Sequence, residues 1–292
     1  MIGVIGLGGM GSGIAGTLLR NGHEIAVYDL DAARVAELVK AGAEQKTDVA
    51  SLCASCDTIL LSLPNSHVAV DVIEHQIAPA AREGTTVIDM GTTVVAETRR
   101  LHEVLRSRNI ELIDAPVSGG TAGAAAGRLY VFAGGAKSAV DGQWALLECL
   151  GGGRLTYCGE SGCGQTTKAV NQLAMGLVDA AFIEAVAFGV NAGVDAKTLQ
   201  NAVGGDSGFR AHFDRISGAI ARGEGDGNDV KYAEFAYFLD EANRTAFPVP
   251  MLSALYEYMR RFEATARDNM NRPYPPLWSA LTGQSTPEGG AS

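Results

Sequence analysis

Apolar positions in the first 160 residues fall into short runs separated by stretches of helical spacing. Ile2, Val4 and Ile5 form a β-branched run that suits a strand buried on both faces. Ile14, Leu18 and Leu19 recur along one helix face, Asn21-Gly22 ends that helix, and Ile25-Ala26-Val27-Tyr28-Asp29 makes a second strand. Further strands are predicted at 58–63, 85–90, 110–115, 129–133 and 155–158, with helical spacing over 95–106 and 136–147. Strand alternating with helix predicts an α/β domain built on a doubly wound parallel sheet. After Gly162 strand patterning stops, and 165–192, 196–203, 209–222, 230–243 and 251–266 read as helices. The expectation is two domains: 1–162, α/β, and 163–292, all-α. A flexible loop is expected at 223–227 and a frayed polar tail at 283–292.

At 292 residues, with 47% hydrophobic and 19% charged residues, the chain has material for two ordinary cores. A net charge of −10 argues against nucleic acid as a partner, and it means that an acidic substrate needs local donors. No apolar run reads as long enough to span a membrane. The first strand starts at residue 2 with no basic segment before it, so no signal peptide is expected. The five cysteines are irregularly spaced. Cys53-Ala54-Ser55-Cys56 has no second CxxC or CxxH to complete a metal site, so reduced structural thiols, no metal and a cytoplasmic location are expected.

Between the first strand and the first helix lies Gly6-Leu7-Gly8-Gly9-Met10-Gly11. Gly6, Gly8 and Gly11 fit the GxGxxG dinucleotide fingerprint of a Rossmann-type domain. The first glycine serves a tight turn, the second admits a pyrophosphate and the third allows close helix packing, while the helix N-terminus faces the phosphates. Asp29 ends the second strand, where a carboxylate accepts from adenosine ribose hydroxyls and repels a 2′-phosphate. NAD is therefore favoured as cofactor, with Arg34 leaving NADP open.

The other unusual residue is Lys168, at the mouth of a helix whose span 169–190 carries only Asp179 and Glu184 as charges. Lys168, Asn171 and Gln172 share one helix face. A lysine whose ammonium is disfavoured by burial can take the proton of a substrate hydroxyl during hydride transfer and return it in the reverse reaction. Spacing alone equally allows a lysine that snorkels to solvent.

Three motifs in order carry a resemblance to a known family. The glycine turn, Asp114-Ala115-Pro116-Val117-Ser118-Gly119-Gly120, and Gly162-Cys163-Gly164-Gln165 through Lys168 to Asn171 resemble the β-hydroxyacid dehydrogenases over nearly the whole chain. The resemblance implies NAD-linked oxidation of a small 3-hydroxy carboxylic acid, or reduction of the corresponding semialdehyde. Lys168 would then be general acid/base and Asn171 would position the substrate. Ser118, Gly119 and Gly120 would hold the substrate carboxylate, and Gln172 would stand where some members have a second asparagine. Leu63, Pro64 and Thr92 would lie against the nicotinamide half of the cofactor, and Lys231 would reach it from the second domain. A homodimer or homotetramer is also implied.

The chain departs from the family pattern around Lys231, which is followed by Tyr232-Ala233, and at 90–95, which lacks a common Ser and Pro. These departures bear on the substrate pocket, for which Phe209, Arg210, His212 and Phe213 are lining candidates, with an ordinary helix surface as the alternative. Two other readings compete. One is an imine reductase using NADPH on the same scaffold, against which Lys168 and Asp29 both count. The other is a non-catalytic NAD-binding module.

Overall fold

The structure is a computed structural model that describes residues 1–225, 234–262 and 276–283. The chain forms two compact units, Met1–Ala169 and Val170–Ser292.

The first unit is a nine-stranded sheet flanked by helices. Its strands are β1 (Ile2–Ile5), β2 (Ile25–Tyr28), β3 (Glu44–Gln45), β4 (Thr58–Leu61), β5 (Thr86–Asp89), β6 (Glu111–Asp114), β7 (Val117–Ser118), β8 (Tyr130–Gly134) and β9 (Leu155–Gly159). They lie in the order β3-β2-β1-β4-β5-β6-β8-β7, with β9 paired to β8. From β3 to β6 every pairing is parallel. The expectation of a parallel sheet needs one correction: β8 runs antiparallel to β6 and β7, so the far side is mixed. Apolar patterning reports burial and not strand direction, and β8 follows the short β7 excursion instead of a full crossover.

The helices of this unit are α1 (Gly9–Arg20), α2 (Ala32–Lys40), α3 (Val49–Ser55), α4 (Ser66–Asp71), α5 (Ala78–Ala80), α6 (Val95–Arg106), α7 (Gly120–Ala126), α8 (Lys137–Gly142) and α9 (Trp144–Gly151). A π-helical stretch, Val72–Ile77, joins α4 to α5. The single helix expected over 136–147 is two, broken at Gln143. Short polar caps start several of the others. Asp31 accepts from Ala33 N–H, Asp48 and Ser51 form a capping box, and Asn65 accepts from Val68 N–H.

Successive strand residues feed opposite cores, as the pleat requires. Val4, Val27, Leu60, Ile88 and Ile113 pack on one face with Ile14, Leu18 and Leu147. Ile5, Ala26, Leu61, Val87 and Leu112 pack on the other with Leu52, Ile73 and Leu101. Cys53 and Cys56 lie in that second core. Burial pushes both thiols up, that of Cys53 to about 11, which suits packing and not reactivity.

α10 (Cys163–Asn191) begins in the first unit and continues into the second. The described helices that follow are α11 (Ala196–Val203), α12 (Gly208–Ala221), α13 (Phe235–Arg244), α14 (Pro250–Arg260) and α15 (Leu277–Thr282). The last of these is not signalled by the sequence pattern. The helices expected at 230–243 and 251–266, and the expected loop and tail, fall partly outside the described residues.

α10 corrects the reading of apolar length. Over 29 residues it contains an 18-residue window of mean hydropathy 1.9 with 28% of that window buried, so it is long and apolar enough to cross a membrane. Asp179 and Glu184 are too sparse to break the run. Length and composition do not separate a membrane span from a core or interface helix.

Candidate active site

The register of the parallel strands sets the ground plan. Ile5, Leu61, Asp89 and Asp114 are partners across β1, β4, β5 and β6, so four strands end level. The glycine turn, Leu63-Pro64, the loop at 90–94 and the Pro116-Val117-Ser118 segment all emerge from that one edge. A doubly wound sheet binds its ligands there.

The three fingerprint glycines differ in what surrounds them. A Cβ on Gly6 would stand 2.4 Å from the Ser62 carbonyl oxygen, and one on Gly11 only 1.9 Å from that of Gly6. Both positions are closed by the protein itself. A Cβ on Gly8 would meet nothing nearer than an Arg34 guanidinium nitrogen, 3.9 Å away. Gly8 is thus open where a pyrophosphate approaches, and the turn fits a dinucleotide glycine by glycine. Gly8 caps α1 with no side-chain hydrogen bond, so the first-turn N–H groups face the same opening. Gly9 and Met10 begin α1, and Leu7 is buried beneath the turn.

The Asp29 carboxylate accepts from Leu7 N–H and, at 2.7 Å, from Asp31 N–H, so it braces the glycine turn from the end of β2. Arg34 pairs with Asp31 at 3.2 Å. Leu63 and Thr92 are half-buried and Pro64 is exposed on their loops.

Lys168 is 6% exposed, and its Nζ donates to the Val117 carbonyl oxygen at 2.8 Å. The alternative of a lysine extended to solvent is thereby corrected: the side chain turns inward against the strand that leads into Ser118. Ser118 ends β7, while Gly119 and Gly120 are exposed with φ of +132° and +65° as α7 begins. A positive φ at both favours glycine and turns the chain sharply past Lys168's partner strand.

Three buried side chains that the sequence reading did not single out organise this edge. Asp114, fully buried at the end of β6, accepts from Gly162 N–H at 2.9 Å on one oxygen and from Gln165 N–H at 3.0 Å on the other, capping α10. Asp89, at the end of β5, accepts from Gly91 N–H at 2.9 Å and from the Thr93 hydroxyl at 2.6 Å. Burial pushes both carboxyls up to about 6, against the pull of these hydrogen bonds. Gln165 donates from Nε2 to the Gly91 carbonyl at 2.9 Å and accepts at Oε1 from Thr93 N–H at 3.1 Å. Gly164 has no room for a side chain, since its Cβ would lie 2.4 Å from the carbonyl oxygens of both Asp114 and Phe132. An acid closing an apolar strand, as in Val87-Ile88-Asp89 and Leu112-Ile113-Asp114, was the available signal.

Within the second unit, Gln172 is buried and its Nε2 donates to Glu234 at 2.7 Å, and Asn171 donates to the Gln172 amide oxygen at 3.4 Å. His212 contacts Asp179 at 2.6 Å and stacks on Phe182, Arg210 donates to the Val203 carbonyl, and Phe213 is core. His212, Arg210 and Phe213 are thus engaged within their own unit. Lys231 lies outside the described residues. Among the described residues no cluster of His, Cys, Asp and Glu has the makings of a metal site.

The fold and the glycine turn define a dinucleotide-binding domain, and comparison with known proteins agrees. The description "NAD binding domain of 6-phosphogluconate dehydrogenase" matches residues 1–159, and "NAD-binding of NADP-dependent 3-hydroxyisobutyrate dehydrogenase" matches 162–271. The chain belongs to the β-hydroxyacid dehydrogenase family. It is 30% identical to a 2-(hydroxymethyl)glutarate dehydrogenase of Eubacterium barkeri over 99% of this chain and 98% of that one. It is 35% identical to an NAD-dependent L-serine dehydrogenase of Pseudomonas aeruginosa over 71% and 70% of the two chains. In fold it resembles a 3-hydroxyisobutyrate dehydrogenase from Salmonella typhimurium, with a TM-score of 0.78 at 23% identity, covering 97% and 99% of the chains. NAD is the cofactor this family membership supports, with NADP still open.

Proposed function

We propose that this chain is an NAD-dependent dehydrogenase of a small 3-hydroxy carboxylic acid, working also in reverse on the semialdehyde, with Lys168 as general acid/base. The observation that carries the reading is the inward Lys168, buried and tied to Val117 one residue before Ser118. The glycine turn, Gly6 to Gly11, would hold NAD, which would supply the acceptor for the hydride of the carbinol carbon. The substrate carboxylate docks on Ser118, Gly119 and Gly120, which supply the donors that an acidic protein must provide locally. Lys168, as the neutral amine, accepts the hydroxyl proton as the C–H bond breaks, and returns it in reduction. Val117 holds one Nζ hydrogen and so fixes the direction in which the amine faces. Asn171, one turn further along α10, orients the substrate hydroxyl, supported by Gln172. Asp29 takes the adenosine ribose, while Leu63, Pro64 and Thr92 contact the nicotinamide half.

We assign the two domains to 1–162 and 163–292. A homodimer or homotetramer is supported by the apolar side chains that α10 exposes, Val170, Met175, Val178 and Phe188. Five unpaired cysteines favour the cytoplasm.

The test is a panel of serine, 3-hydroxyisobutyrate, glycerate and 3-hydroxypropionate with NAD and NADP, run on the wild type and on Lys168→Ala. The substitution should lower kcat by roughly 10² or more and leave NAD affinity nearly unchanged. An unaltered kcat removes Lys168 from the mechanism. NAD binding with no turnover on any hydroxy acid would instead favour the non-catalytic module.

A further inference from the structure

The loop at 91–93 is gripped from two sides. Asp89 holds its start through Gly91 N–H and its end through the Thr93 hydroxyl. Gln165 holds the same two residues through the remaining backbone groups, the Gly91 carbonyl and Thr93 N–H. The two grips come from different elements, the end of β5 and the first turn of α10. Gln165 is 1% exposed, and its own N–H is fixed by Asp114. It stands three residues before Lys168, on the same side of the helix.

A primary amide offers a donor and an acceptor side by side without carrying charge at any ordinary pH, and it meets an acceptor and a donor here. A hydrophobic side chain could fill the volume but would leave a buried C=O and N–H unpaired. Packing alone does not call for that chemistry.

We infer that Gln165 is a positioning residue, which ties the Gly91–Thr93 loop to the helix carrying Lys168 and so sets the separation of loop and amine. The inference rests on the dehydrogenase reading above, in which Thr92 faces the nicotinamide half and Lys168 the hydroxyl. The loop then places the acceptor of the hydride and the amine is the acceptor of the proton, so their spacing enters the transition state directly.

Two substitutions separate positioning from packing. Gln165→Met keeps the volume and deletes both hydrogen bonds. Gln165→Glu keeps the shape, but its ionised form turns an oxygen toward the Gly91 carbonyl with Asp89 and Asp114 close by. When protonated, the introduced carboxyl restores both bonds, donating to Gly91 O and accepting from Thr93 N–H. The charged groups packed nearby are Asp89 at the end of β5, Asp114 at the end of β6, Arg99 of α6 against Gly162, and Lys168 on the next turn of α10. Asp89 and Asp114 oppose its ionisation, so protonation should set in above the usual carboxylate range.

The experiment is steady-state kinetics with the best substrate of the panel, as the ratio of variant to wild-type kcat at each pH, which cancels pH effects common to both. Gln165→Met should lose about 10- to 100-fold in kcat, with KM for the hydroxy acid changing less than about threefold. Its ratio should be flat with pH. The Gln165→Glu ratio should be similarly low near pH 8 and climb several-fold as pH falls toward about 6. A kcat within about threefold of wild type for both variants, or a Gln165→Glu ratio that does not climb, overturns the inference. If Gln165→Met fails to fold, as judged by circular dichroism, the pH course of the Gln165→Glu ratio decides alone. Lys168→Ala in parallel keeps the two readings apart. Retained turnover there removes the lysine base while a climbing Gln165→Glu ratio still shows the loop tie. An inactive Lys168→Ala beside unaffected Gln165 variants removes only the tie.

Discussion

Asp89→Asn isolates a single buried charge. One Asp89 oxygen accepts from Gly91 N–H, and the other accepts from the Thr93 hydroxyl. An asparagine oxygen can keep the first bond. Its amide nitrogen can donate to Thr93, whose hydroxyl simply reverses direction. Both contacts are therefore retained while the ionisation is lost, and any cost of the reversed Thr93 hydroxyl is the same at every pH. Burial holds this carboxyl at about 6, against 3.8 for the ordinary group. A folded-state pKa above the unfolded one makes the folded state bind the proton more tightly. The resulting stabilisation is full below the unfolded value and is lost as pH rises through the folded one. Between pH 5 and pH 7.5 the wild type should lose about 1.4 kcal/mol from this residue, the tenfold difference in proton binding at the lower pH. Asp114, whose carboxyl Asp89 helps to push up, adds in the same direction. The assay is urea unfolding of wild type and variant at both pH values, reading the difference between the two proteins so that exposed carboxylates cancel. Asp89→Asn should gain on the wild type by about 1.4 kcal/mol on going to pH 7.5. A pH-independent difference, or one of opposite sign, would show that the fold does not hold the Asp89 carboxyl above its ordinary range.

Asp29→Ser should raise the ratio of NADP to NAD kcat/KM by about tenfold or more, because a negative charge facing the 2′ position is removed. An unchanged ratio assigns Asp29 to bracing Leu7 alone. Wild-type chain at micromolar concentration should sediment above monomer mass, and Phe188→Glu with Met175→Glu should shift it toward monomer. A wild type that sediments as a monomer rejects the assembly reading.

Much of the first unit was legible because its signals are local. Each strand from β1 to β6 except the two-residue β3 is a compact apolar run, and the glycine turn follows β1 without a gap. What was not legible depended on partners distant in sequence. Nothing in Tyr130 to Gly134 states that β8 will run against β6, since direction is set by the path through β7 and α7. Gln143 looked like one residue of a continuous helix, yet its backbone leaves helical geometry and splits α8 from α9. Lys168 stood out as a charge among apolar neighbours. Gln165, uncharged and one turn earlier, did not, although its partners lie 72 and 74 residues away in sequence. Asp114 stood inside a recognised motif while its task, capping α10 across 48 residues, was set by tertiary structure.

The level ends of β1, β4, β5 and β6 restrict how this sequence can vary. A one-residue insertion inside any of these strands would exchange its two faces and lift the following loop by about 3.3 Å relative to its neighbours. The glycine turn, the 91–93 loop and the Val117 segment would then no longer meet on a common plane. Changes in chain length are therefore admitted only at the opposite edge of the sheet or in the outer loops, while the spacing from each strand's first residue to its site loop is held constant. Mutational scanning by insertion should trace that edge as a band of intolerance four strands wide, crossing segments that are far apart in the chain.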